Sequence, residues 1–258
     1  MEITREIAEK VLKVVDRGLT DGIGSRRPGY MCVEAAVCYA LGEPHSDVPS
    51  CVHEGLRRFK IALNDLLWST KQARAKGLRR IAIAQLGTAP PYRFDTSRFF
   101  DDTIRVMVET YLTEAVKITL VRLEEVGETD NAQAIKKALK RLDGGDVNTI
   151  RNFSEIAIEA SNNIISWSGE RFIVKSDPET LGNTCDELLD NWDCGVIADI
   201  LPISVGTFVD IIYRKQPFHL RKPLVDAAFA TFAERVVQIL IAMKTPGSAF
   251  LDLAPLGE

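Results

Sequence analysis

Histidine is scarce in this chain, with three in 258 residues, at positions 45, 53 and 219. Chemistry that draws on imidazole as an acid, a base or a metal ligand therefore has few places to sit. Cysteine is nearly as rare. Its five residues, Cys32, Cys38, Cys51, Cys185 and Cys194, are too few and too scattered for a disulfide scaffold. Long uncharged apolar runs are missing as well. The most apolar segment, 224–243, carries Asp226, Glu234 and Arg235, which makes a bilayer crossing costly. The opening residues, Met1-Glu2-Ile3-Thr4-Arg5-Glu6, lack the apolar stretch of a secretory leader. The expectation is a cytoplasmic protein with reduced thiols and no membrane partner.

Strong catalytic signatures are absent too. No P-loop is present. Gly18, Gly22 and Gly24 have the wrong spacing for a dinucleotide fingerprint and follow a helix, not a strand. Glu109, Glu114, Glu124, Glu155 and Glu159 lie on long helices without the Glu-x-x-His pairs of a di-iron bundle, and His219 stands alone. His53-Glu54 is followed by Arg57, not by the second histidine of a zincin.

What is present is an ordinary globular composition, 46% apolar and 26% charged, with a net charge of −4. The charge is unevenly spread. Residues 51–90 hold eight Lys/Arg (Arg57, Arg58, Lys60, Lys71, Arg74, Lys76, Arg79, Arg80) against two Asp/Glu. Two helices carrying these cations could bind phosphates, with Arg57, Arg58, Arg79 and Arg80 as the candidates. The preferred alternative is a solvated face that pairs with the acidic remainder.

Helical periodicity runs through the sequence. It predicts helices over 4–17 (Thr4 as cap, Gly18 as stop), 30–41 (Gly42 as stop), Cys51–Leu67 with Asp47 or Ser50 as cap, and 70–86 with a break at Gly77. Residues 98–126 read as one long helix. Later helices are expected over 130–142, 147–167, 178–192, 203–213 and 223–243. Arg171-Phe172-Ile173-Val174-Lys175 is the one candidate strand. Trp68, Trp167 and Trp192 are expected to fill the core. The fold class is all-α, a bundle of about nine helices with one long central helix. The Pro-rich stretch 87–97 divides an N-terminal region, 1–87, from a C-terminal bundle, 98–258, unless the two form one continuous domain.

One segment stands out: Gly-Tyr-Met-Cys-Val-Glu-Ala-Ala over 29–36, Gly-Glu-Pro-His-Ser-Asp-Val-Pro-Ser-Cys over 42–51, and Asn64-Asp65. Over residues 29–65 the chain resembles a group of bacterial and phage helical proteins with no assigned function. The resemblance implies helices and no activity, and the Ala-rich continuation of that group is missing here.

The segment admits three readings. Cys32, His45, Cys51 and His53 could hold zinc, although none of their spacings is diagnostic. Cys32 or Cys51, each expected in the first turn of a helix where the dipole lowers a thiol pKa, could act as a nucleophile with His53 as base and Asp47 as orienter. The preferred reading is architectural, with small buried cysteines and a proline-stiffened, capped connection; Glu34 and Asp65 supply carboxylates nearby.

The functional expectation is a non-enzymatic helical interaction protein without a cofactor. It would self-associate or bind a protein partner, with nucleic acid as the lesser option. The nearly all-round apolar helix near the C-terminus would be either core or subunit interface. The alternative is a metal- or thiol-dependent enzyme or sensor using the Cys32–His53 segment.

Overall fold

The structure, a computed structural model, describes residues 2–142, 146–164, 170–190 and 194–256. Every regular element among them is helical, and the all-α expectation holds with eleven α-helices where about nine were expected. The contacts divide the chain into two units: residues 1–103 with 217–258, and residues 104–216.

The first unit holds α1 (Arg5–Val15), α2 (Val33–Leu41), α3 (Glu54–Asp65), α4 (Lys71–Ala84), most of α5 (Thr96–Val106), α11 (Phe218–Ala242) and a terminal 3₁₀ segment, Pro246–Leu253. Short polar side chains start the early helices. Thr4 accepts from the Ile7 amide and Thr70 from the Ala73 amide at 3.0 Å. α1 turns Ala8, Val11, Leu12 and Val15 into the core, and Gly42 closes α2 in the left-handed conformation.

α4 runs unbroken through Gly77, contrary to the expected break. A Cβ there would strike the ring of Trp68, so glycine is present to admit the indole and does not interrupt the helix. Trp68 packs edge-on against Phe229 of α11 and donates its Nε1–H to the Leu63 carbonyl at 3.1 Å. Phe59 of α3 contacts both Phe99 of α5 and Phe232 of α11.

These aromatic contacts explain why the division differs from the expected break at 87–97. Phe99 binds the start of α5 to the first unit, and the buried half of α11 (Phe229, Phe232, Val236, Val237, Leu240) packs on α4.

The second unit contains the π-helical turn Met107–Leu112, α6 (Thr113–Glu125), α7 (Thr129–Leu139), α8 (Val147–Asn163), α9 (Glu170–Asp190) and α10 (Cys194–Tyr213). The helix expected over 98–126 is thus present as α5, the π-turn and α6. Thr113 Oγ1 donates to the Val108 carbonyl five residues back, which suits the wider turn. Asp177 of α9, fully buried, takes Arg122 of α6 at 2.5 Å and Arg214 at 2.9 Å. Arg122 also donates to the Ile211 carbonyl, so one cation ties α6, α9 and α10 together.

Several expectations need correction here. The candidate strand 171–175 lies within α9. The helix starts expected at 178, 203 and 223 coincide with or follow Pro178, Pro202 and Pro223, yet α9, α10 and α11 each run through their proline. An interior proline costs on the order of 3 kcal/mol; the apolar faces these helices bury offset that cost. α10 also contains an 18-residue apolar stretch, Val196–Tyr213, long enough to cross a membrane, of which 56% is buried inside the protein as in a core helix. Trp167 and Trp192 lie outside the described residues.

Replacing Gly77 with Ala tests the Trp68 contact. Helix propensity alone would stabilise by about 1 kcal/mol. We expect the reverse, a loss of about 1–3 kcal/mol by overpacking, in urea unfolding; a gain would show that the ring does not occupy that space.

Candidate functional site

The segment singled out in the sequence forms one side of a buried polar cluster. Cys32 is the N-cap of α2, and its Sγ accepts the Ala35 amide at 3.3 Å. Two residues on, Glu34 sits in the first turn of α2 with no solvent exposure. Its Oε1 lies 3.1 Å from Lys60 Nζ of α3, also fully buried. Its Oε2 accepts from Gln85 Nε2, at the end of α4, at 3.3 Å. The Lys60–Glu34 approach is at ion-pair distance but poorly aligned for a hydrogen bond. Gln85 Oε1 is buried beside them without a protein hydrogen-bond partner.

Electrostatics follow from this burial. Desolvation pushes the Glu34 carboxyl up to about 7, against the pull of the Lys60 ammonium. The same desolvation lowers Lys60, against the pull of Glu34. Burial raises the thiols too, Cys32 to about 11 and Cys38 to about 12, with Cys51 and Cys185 also shifted upward. The expected helix-dipole activation of Cys32 and Cys51 is therefore reversed, because loss of water outweighs the dipole. Cys51 also lies outside α3, whose N-cap is His53; neither Asp47 nor Ser50 caps it.

The histidines are spent separately. His53 Nδ1 accepts the Gly55 amide at 3.2 Å, and its ring meets Phe94 at 4.9 Å. Burial lowers its pKa. His45 Nε2 donates to the Gly24 carbonyl at 3.2 Å, which assigns the proton to that nitrogen. Among the described residues no three His, Cys, Asp or Glu side chains are gathered as a metal-ligand set, so Cys32, His45, Cys51 and His53 do not converge.

The loop over 42–51 is held by Glu43, which takes the Ser50 amide and hydroxyl. Asn64 and Asp65 also have structural work. Asn64 accepts from the Val33 amide and donates to the Thr20 carbonyl, and Asp65 accepts from the Gly22 amide at 2.9 Å.

The candidate phosphate-binding cations are engaged as well. Arg79 pairs with Asp16 and Arg80 with Glu234, each at 2.8 Å, while Arg57 lies 3.8 Å from Glu54. Arg58 is likewise partnered. Lys60 and Arg74, read as members of the same face, are buried. In the second unit, an open hollow of about 390 Å³ between α7 and α8 carries mixed charge, including Asp130, Lys137, Arg141 and Glu159.

Sequence reasoning missed Lys60 and Gln85. A signal for Lys60 existed: Leu56, Phe59, Lys60 and Leu63 share one helical face, and the three apolar members are all buried. Neither a protein-family model, nor a curated protein, nor a solved structure matches the chain.

Two outcomes follow. Between its ordinary 4.5 and about 7, folded Glu34 holds a proton that the unfolded chain has released, so its contribution to stability falls as pH rises through that window. Lys60, shifted downward, gives the opposite slope at higher pH, up to its ordinary 10.5. Relative to Glu34→Gln, the wild type should thus lose urea stability from about pH 4.5 to 7; a constant difference would contradict the burial of a titrating carboxyl. Separately, Cys32 and Cys51 should react with a disulfide reagent at neutral pH only as the fold opens. A rapid burst mapped to either residue would restore the nucleophile reading.

Proposed function

We propose that this chain is a non-enzymatic helical interaction protein that self-associates. One observation carries the reading. Phe218, Leu220 and Leu224, at the start of α11, are 73%, 49% and 38% exposed. Leu220 and Leu224 stand one turn apart on the same face, and Lys222 Nζ lies 4.6 Å above the Phe218 ring.

Burying a large apolar side chain is favourable by about 1.5–3 kcal/mol, so three within seven residues are a strong incentive to find a partner surface. The tip also carries His219, Arg221 and Lys222, while residues 91–258 are acidic in balance. A second copy of the chain therefore offers the complementary charge. Further along α11 the apolar residues turn inward, so core and contact functions divide between the two halves of one helix.

Sedimentation velocity tests the reading. Wild-type protein should show a concentration-dependent dimer in the micromolar range, and Phe218→Ser with Leu224→Ser should return it to monomer without loss of helical circular dichroism. A wild type that stays monomeric, or a doubly substituted dimer, would overturn it.

A further inference from the structure

The loop between α1 and α2 displays a tyrosine among cations on a firm frame. Ser25 donates to the Tyr30 carbonyl at 2.7 Å, Tyr30 donates to the Arg27 carbonyl at 2.9 Å, and Gly24 bridges Met31. Asn64, Asp65 and Arg74 hold the loop from beneath, Arg74 through the Leu19 carbonyl at 3.1 Å. Gly29, at φ +86°, lies so close to Arg17 that a Cβ would sit 2.9 Å from its carbonyl oxygen, so the loop rests directly on the end of α1.

On this frame the Tyr30 side chain is 45% exposed. Lys71 Nζ lies 3.8 Å and the Arg27 guanidinium 4.7 Å from its ring centroid. Lys71 also donates to the Gly29 carbonyl at 3.4 Å. The backbone and Cβ of Arg17 lie beside Gly29 at the foot of the loop.

The acidic side chains of the neighbourhood are occupied elsewhere. Asp16 pairs with Arg79, Asp65 accepts from Gly22 and Asn64, and Asp21 accepts the Thr20 hydroxyl at 3.2 Å, with Arg74 and, more weakly, Lys71 within its electrostatic reach. Among the described residues, no carboxylate forms an ion pair with Arg17, Arg27 or Lys71. Cation–π contact compensates two of these charges only in part, by about 0.5–1 kcal/mol each at an exposed site.

We infer that Arg27 and Lys71, set against the Tyr30 ring, form a binding site for a phosphoryl anion. The chemistry selects phosphate on three grounds. Two cations brought together from distant chain segments, their heads beside a hydroxyl-bearing ring, can contact different oxygens of one oxyanion. A guanidinium fork binds two of its oxygens, and the tyrosine hydroxyl supplies a neutral donor. Because the cations already engage the ring's π system, the ligand meets the charged heads and the hydroxyl edge, and base stacking is not required. A phosphodiester backbone and a small phosphate compound present this same group. The site is separate from the α11 tip and stands or falls independently of self-association.

The test uses the full chain and two probes, a short oligothymidylate followed by fluorescence anisotropy and inorganic pyrophosphate followed by calorimetry. Arg27→Glu, on an exposed side chain, should weaken binding by at least about tenfold. Lys137→Glu, an equal charge change on α7, should leave it within twofold (roughly, the effect of net charge alone). Adding Lys71→Gln should lower the salt dependence of oligonucleotide binding by about 0.7 per lost contact, and Tyr30→Phe isolates the hydroxyl. Thermal unfolding of each variant verifies the fold, and Arg27→Gln replaces any variant that fails it. Loss of both probes supports a general phosphoryl site. Loss of pyrophosphate alone assigns small phosphates, and loss of oligonucleotide alone assigns a nucleic-acid backbone. No binding of either probe by wild type, or equal weakening by Arg27→Glu and Lys137→Glu, overturns the proposal.

Discussion

A glutamate and a lysine without any solvent exposure can share a helical core only by facing each other. Glu34 and Lys60 do so at 3.1 Å, and much of the first unit is arranged to permit it. The carboxylate lies in the first turn of α2, where the helix dipole favours negative charge. The ammonium comes from the core face of α3, and Gln85 adds a contact from the end of α4. Three helices are thus brought to one point by an interaction that fails if any of them shifts. Such a pair contributes little net stability compared with an apolar substitute, because desolvation consumes much of the attraction. A packing that separates the two charges would leave both stranded in the core.

Around that point, side chains with catalytic potential have been given structural duties. Cys32 caps α2, His53 caps α3, Glu43 holds the 42–51 loop, and Asn64 and Asp65 secure the loop between α1 and α2. The same burial that allows the ion pair raises the neighbouring thiols, which lowers their thiolate fraction at neutral pH. Two exposed features stand apart from this cluster: an apolar helix tip at 218–224 and a cation-rimmed tyrosine at position 30.

The sequence disclosed the helical class and several helix ends, because those depend on local signals. Thr4 caps α1, and Gly42 closes α2, as residue chemistry predicts. What was hidden depends on contacts between distant segments. Gly77 reads as a helix breaker until Trp68 is placed against it. Prolines 178, 202 and 223 read as helix starts until their helices are packed. Lys60 reads as one cation in a basic stretch until the apolar face of α3 is turned inward. Within the Cys32–His53 segment the expected caps Asp47 and Ser50 give way to His53, and the pair of Glu34 with Lys60 is invisible until α2 and α3 are packed together.

The central claim is that this pair organises the first unit, and a double-mutant cycle in urea tests it most directly. Glu34→Leu and Lys60→Met alone should each cost about 3–5 kcal/mol, since each strands the opposite charge in the core. Combined, they should cost far less than their sum, leaving a folded helical protein. Simple additivity of the two losses would show that the charges do not depend on each other, and the account would be wrong.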